Sequence, residues 1–168
     1  MFDSMVLGVD PGLGSVGFAV LARDRGRPVV VWAASLSTPA GAPTEQRLRR
    51  VHEVTAELLA EHKPQALAIE RLLWGRNTGS AMQVARASGV VLLASAQAGV
   101  PAIEYAPLEV KMAVTGVGNA AKEQVRRGLG LILGREAVPS QPDAADAVAV
   151  AVCHLQQAKL RGLAGAAR

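Results

Sequence analysis

The 168 residues hold 18 Lys and Arg against 14 Asp and Glu, a formal net charge of +4, with 50% hydrophobic and 19% charged positions. That size and balance suit one globular domain with a sizeable core, argue against two domains, and favour a polyanionic partner such as nucleic acid. Cys153 is the only cysteine, which excludes an internal disulfide or a cysteine-based zinc site within one chain and fits a reducing cytosol.

The N-terminal MFDSMVLGVD lacks the positive region, apolar stretch and cleavage site of a signal peptide, and charges interrupt every longer apolar run before transmembrane length. A cytoplasmic location is expected. Met5 to Asp10 then reads as a strand ending in an acid, followed by Ser15 to Arg23 and Pro28 to Ser35, with turns marked by Pro11, Gly12 and Gly14 and by Asp24, Gly26 and Pro28. The domain is therefore expected to open with an antiparallel meander. Past a Pro and Gly loop, Thr44 can cap a helix in which Leu48, Val51, Val54, Leu58 and Leu59 recur at helical spacing until Pro64. ALAIE, Ala66 to Glu70, is a buried strand that again ends in an acid.

Thr78 to Ala98 forms a long helix whose Ser80, Ala81, Ala85, Ala87, Ser88, Gly89, Ala94 and Ser95 are small enough to let another backbone approach. They suit either packing inside the chain or a self-association face, and the interface between two copies is expected on this helix. Val100 to Tyr105 is the last strand. Short helices follow near Pro107 to Val114 and Asn119 to Leu133, and a final helix starts with Ser140 as N-cap and Pro142 in its first turn. Residues 1–157 are read as the domain and 158–168 as a C-terminal tail. The order β-β-β-α-β-α-β-α is that of an α/β ribonuclease H-like fold: three layers, α/β/α, around a mixed five-stranded sheet.

The acids fall at telling places. Asp10 ends the first strand, Glu70 ends the fourth, and Asp143 and Asp146 stand about one turn apart on one face of the last helix. If those strands are neighbours with the helix beside them, four carboxylates converge. Crowded like charges raise one another's pKa, and a divalent metal with hard oxygen ligands, Mg²⁺ or Mn²⁺, resolves the conflict. Taken singly, Asp10 could cap a turn with Gly12, Glu70 could be a solvated strand end, and Asp143 could form a capping box with Ser140. Asp146 lies in a run of Ala and Val, where an unpartnered carboxylate is costly.

The segments LGVDPGLGSVGFAV, ALAIE with Arg76 and Asn77 after it, EYAPLEVKMAVTGVGNAAKEQV and DAADAVAVAVCH together resemble the RuvC family of Holliday-junction resolvases. The resemblance implies a homodimeric Mg²⁺-dependent endodeoxyribonuclease of recombination and repair, with Mn²⁺ able to substitute. Such an enzyme resolves four-way DNA junctions by paired symmetric nicks that leave 5′-phosphate and 3′-hydroxyl ends. A pair of Mg²⁺ ions per active site and contact with the branch-migration proteins RuvA and RuvB are implied in the same way. The family's catalytic and metal-binding acids carry over onto Asp10, Glu70, Asp143 and Asp146. Lys111 and Lys122 match positions implicated in binding or cleaving junction DNA, and Arg76 and Asn77 fall in the loop after Glu70. The family often places a phenylalanine three residues after the strand-four glutamate; here that residue is Leu73 and the aromatic is its neighbour Trp74, so either can act on the junction bases. Arg126 and Arg127 are read as a solvated helix face, His52 and His62 as surface residues, and His154 as structural.

Two other readings compete. A phosphotransferase of the actin and sugar-kinase superfamily also opens with an aspartate and a Gly-rich turn, but needs two such domains and a second phosphate loop. A non-catalytic junction-binding protein on the same scaffold would have no need of all four acids.

Overall fold

The computed structural model describes residues 2–72 and 78–166. Strands β1 (Ser4–Asp10), β2 (Ser15–Asp24) and β3 (Arg27–Ser37) form the expected meander, and α1 (Thr44–His62), β4 (Ala66–Glu70), α2 (Thr78–Gln97) and β5 (Ala102–Tyr105) follow. Helices α3 (Pro107–Thr115) and α4 (Lys122–Leu133), a single 3₁₀ turn over Arg135–Ala137 and α5 (Pro142–Ala166) complete the chain. The sheet order is β3-β2-β1-β4-β5, antiparallel among the first three strands and parallel from β1 through β4 to β5. This is the mixed five-stranded sheet of a ribonuclease H-like fold.

Strand alternation divides the core in two. Leu7, Val9, Phe18, Val20, Leu67 and Ile69 face α1 and α2, meeting Val51, Leu58, Leu59, Val91 and Ala94. Val6, Ala19, Leu21, Ala66 and Ala68 face the other way, onto α3, α4 and α5. The same parity sends Asp10 and Glu70 to the α5 side. That side is floored with small residues, and Gly8 shows why: a Cβ there would meet the Ala147 carbonyl and stand 2.8 Å from the Ala151 Cβ. A Cβ on Gly17 would run into the Asp143 carbonyl. The helix backbone therefore rests directly on the sheet, and its contact surface of Ala144, Ala147, Val148 and Ala151 is buried to match.

Several details depart from the sequence reading. Helix α1 is preceded by Pro43 with no side-chain cap, so Thr44 is its first residue and not its cap. Pro142 opens α5, one residue later than a Ser140 cap requires, and α5 continues through 158–166, where the sequence suggests a tail. Helix α4 starts at Lys122, after an Ala121 whose N–H donates to the Gln124 side chain at 2.8 Å. The β2–β3 turn uses Arg25 and Gly26, both at positive φ (48° and 81°), the geometry of a two-residue hairpin turn. A bulge opposite Val20 and Leu21 leaves Val31 without a partner on β2. On α2, Ala81, Ala87, Ser88, Ala94 and Ser95 are buried inside the chain, because close packing against α1 needs them. The exposed face of that helix carries Met82, Ala85, Gly89 and Leu93 instead.

Gly8→Ala is expected to destabilise the domain by about 1–3 kcal/mol through overpacking at the α5 contact. Gly41→Ala, with nothing near its Cβ position, should leave the midpoint of chemical unfolding within the error of the wild type.

Candidate active site

Asp10 and Glu70 reach the site because β1 and β4 are adjacent and parallel, with Val9 paired to Ile69, so both strands end at the same edge. Asp10 is also opposite Gly17 on β2, and the missing side chain there admits the first turn of α5 with Asp143. Asp146 follows one turn later. The turn after Asp10 is fastened from α1: Arg47 Nε donates to the Thr38 hydroxyl at 2.9 Å and its Nη2 to the Leu13 carbonyl at 3.2 Å. The Thr38 hydroxyl also donates to Leu13, and the Thr38 N–H to Gly14 at 3.0 Å.

A cleft of about 310 Å³ is lined by Asp10, Glu70, Lys111, Lys122 and Asp146, with Val110, Val125 and Ala149 as apolar walls. Asp143 sits beside it, its carboxylate accepting a hydrogen bond from the Ser15 hydroxyl. Burial pushes the Asp10 carboxyl from 3.8 up to about 8, reinforced by the charges of Glu70, Asp146 and Asp143 in that order and opposed by Lys122. Glu70 moves in the same direction, first through burial and then through Asp146, while Lys111 and Lys122 pull it back. The Lys122 ammonium is 3.4 Å from Asp146 Oδ2, but that side chain is 84% exposed. An exposed pair of this kind contributes little, so the acids stay under-compensated by the chain itself.

Among the described residues no three acidic, histidine or cysteine side chains are close enough, as they stand, to hold a metal ion together. Ser15 and Lys122 each engage one of the α5 acids. The donor set is nonetheless all carboxylate oxygen, the kind that suits Mg²⁺ or Mn²⁺.

Asp10, Glu70, Asp143, Asp146, Lys111 and Lys122 are thus brought to one place. Leu73, Trp74, Arg76 and Asn77 lie outside the described residues. The histidines are elsewhere: His52 Nε2 is 2.8 Å from the Gln97 side-chain oxygen, His62 lies against Trp32 with ring centroids 6.4 Å apart, and His154 Nδ1 is 2.9 Å from the Tyr105 hydroxyl. Ser15, Gly17 and Arg47 escape a sequence reading as site residues. Only the LGS turn hints at Ser15; the others act through contacts that no local pattern records.

A half-buried carboxylate cluster at adjacent strand ends, with lysines at its rim and a five-stranded mixed sheet beneath, defines a ribonuclease H-like nuclease. The family model for RuvC, crossover junction endodeoxyribonuclease, matches residues 6–154. The chain is 41% identical over 155 residues to the crossover junction endodeoxyribonuclease RuvC of Syntrophomonas wolfei, covering 92% of this chain and 90% of the relative. It is 43% identical over 148 residues to that of Chloroflexus aggregans, covering 88% and 90%. Among solved structures, Thermus thermophilus RuvC in complex with a Holliday junction substrate superposes with a TM-score of 0.87 at 34% identity, covering 94% of this chain and 96% of that one. This chain belongs to the RuvC family of crossover junction endodeoxyribonucleases.

The raised Asp10 pKa gives a pH dependence with a definite sign. Between 3.8 and about 8 the folded protein keeps a proton that the unfolded chain has released, so in the absence of divalent cations this group makes stability fall as pH rises through that interval. Asp10→Asn removes the effect. In chelator at pH 8 the variant should melt higher than wild type by about 2–4 °C for each kcal/mol of relieved repulsion, and the gap should close toward pH 4.

Proposed function

We propose that this chain is a metal-dependent, structure-selective DNA endonuclease. It resolves four-way junctions by paired symmetric nicks that leave 5′-phosphate and 3′-hydroxyl ends. The observation that carries the reading is the under-compensated cluster itself: a half-buried Asp10 whose pKa is raised to about 8 by desolvation and three neighbouring acids is a poor structural element and a good cation site. Asp10, Glu70, Asp143 and Asp146 would hold Mg²⁺, a pair of ions in the full site, with Mn²⁺ able to replace it. When bound, such ions stabilise the attacking and leaving oxygens of an in-line phosphodiester displacement.

The chain's own residues do the rest. The cleft walls, Val110, Val125 and Ala149, limit water around the acids. Lys111 and Lys122 face those acids across the cleft and would hold the scissile phosphate by charge. Ser15 orients Asp143, and the Arg47 clamp fixes the turn that carries Asp10. Contacts from Leu73, Trp74, Arg76 and Asn77 to the junction strands belong to this reading on the strength of the family motif, as do a cytoplasmic location and association with RuvA and RuvB. Junction DNA as substrate is supported by the junction bound to the Thermus thermophilus relative.

A junction with two-fold symmetry needs two sites facing opposite strands, which an isologous homodimer supplies. The exposed Met82 and Leu93 of α2, with Gly89 between them, offer a face for a second copy.

With Mg²⁺ and a synthetic four-way junction, wild type should nick two strands symmetrically while Asp146→Asn binds without cleaving; cleavage that survives the substitution refutes the metal site. Lys111→Met should lower turnover by about 10²-fold, the usual scale for one lost charge-stabilising group. Sedimentation should find a dimer in the wild type and a monomer in Leu93→Glu.

A further inference from the structure

We infer that a groove along α4 is a track for the phosphodiester backbone of a duplex arm, held at its far end by Arg127 and Arg135. The acid cleft does not end at Lys122. It continues into a depression of about 160 Å³ between α4 and the start of α5, which shares Lys122, Val125 and Asp146 with it. That depression passes, through Glu123 and Arg126, into a hollow of about 490 Å³ between α4 and the Arg135–Ala137 turn. Arg126, Arg127 and Arg135 line this last hollow against one acid, Glu123.

The charges there are not spent on the protein. Among the described residues none of the three arginines is in a salt bridge, and only Arg126 is tied down, donating to the Pro139 carbonyl at 3.0 Å. Gly130 lets the Arg135 stem lie against the helix, since a Cβ there would stand 3.3 Å from Arg135 Cγ. A guanidinium on a braced stem, beside two others, suits a polyanion better than solvent. Continuity with the acid cleft selects the occupant: a strand whose phosphate lies at Lys122 can follow the same groove outward. Leu131, which is 87% exposed, gives the hollow an apolar rim that an acidic protein segment could also use, and the test below separates the two.

The reach is specific. The chain turns back at Gly134, so the Arg135 stem lies beside Gly130, eight positions past Lys122, about 12 Å at the helical rise of roughly 1.5 Å per residue, or between about three and four steps of 3.4 Å. Phosphate contacts of this kind position the arm and carry no sequence information themselves. The inference rests on the junction-nuclease reading and adds a binding surface to it.

The test compares wild type with Arg127→Gln/Arg135→Gln in binding a synthetic four-way junction in chelator across a KCl titration. Losing two phosphate contacts should reduce the slope of log affinity against log salt by about 1.8, and Arg127→Lys/Arg135→Lys should restore most of it. Methylphosphonates placed about two to four phosphates from the cleavage position should weaken binding of the wild type and leave the glutamine variant unaffected. A variant with the wild-type slope and wild-type methylphosphonate sensitivity overturns the groove alone. Wild-type protein that fails to bind the junction overturns the underlying reading and the groove with it. The unfolding midpoint and the single Arg127→Gln, expected to lower the slope by about 0.9, guard against a folding defect.

Discussion

The direct contact between α5 and the sheet backbone is the constraint on which the rest depends. Gly8 and Gly17 leave no side chain between strand and helix, and the helix answers with Ala144, Ala147 and Ala151. Both partners give up side-chain volume, which sacrifices burial per residue, and in return the first turns of α5 come down beside the ends of β1 and β4. Larger residues at those glycines would lift the helix and separate two pairs of carboxylates carried by different elements. The glycine of VDPGLGSVG that matters most is therefore the last one. Gly17 makes space for a helix, since a Cβ there would meet the Asp143 carbonyl.

The same packing sets up an electrostatic conflict. Asp10 is half-buried beside three other acids, and the ammonium of Lys122 is too exposed to offset the repulsion. Two apolar clusters, one on each sheet face, supply the stability that lets the fold tolerate it. Sites that bind charged ligands are commonly built this way, with local stability surrendered for function. Ser15 and Arg47 limit the damage: one gives Asp143 a donor, the other anchors the turn after Asp10.

Much of this was legible in the chain. The strands announce themselves as apolar runs closed by turn residues, and an acid at the end of a buried run, as in LGVD and ALAIE, is conspicuous because burial there is expensive. Asp143 and Asp146 show their common face through helical spacing. What could not be read are contacts between residues far apart in sequence: Ser15 with Asp143, Arg47 with Leu13, Gly17 beneath α5. Small residues on α2 illustrate the ambiguity, since their spacing allows an inward or an outward face. Packing on α1 chose inward for Ala87 and Ala94 and left Met82 and Leu93 outside. The bulge at Val31 has no local signature either, since it shows only in the register between β2 and β3.

Lys122 lines both the acid cleft and the depression that continues it. It is the first residue of α4, where a positive charge opposes the helix dipole and costs a few tenths of a kcal/mol to about 1 kcal/mol. Ala121 before it contributes no side-chain oxygen to cap the helix. A sequence selected for helix stability alone would place an acid or a capping residue there, as Asp143 does in the first turn of α5. The cation at Lys122 instead projects over Asp146, at the point where the acid cleft meets the groove along α4. An anion in the cleft would be attracted by the helix end and the ammonium together, where four carboxylates alone would repel it.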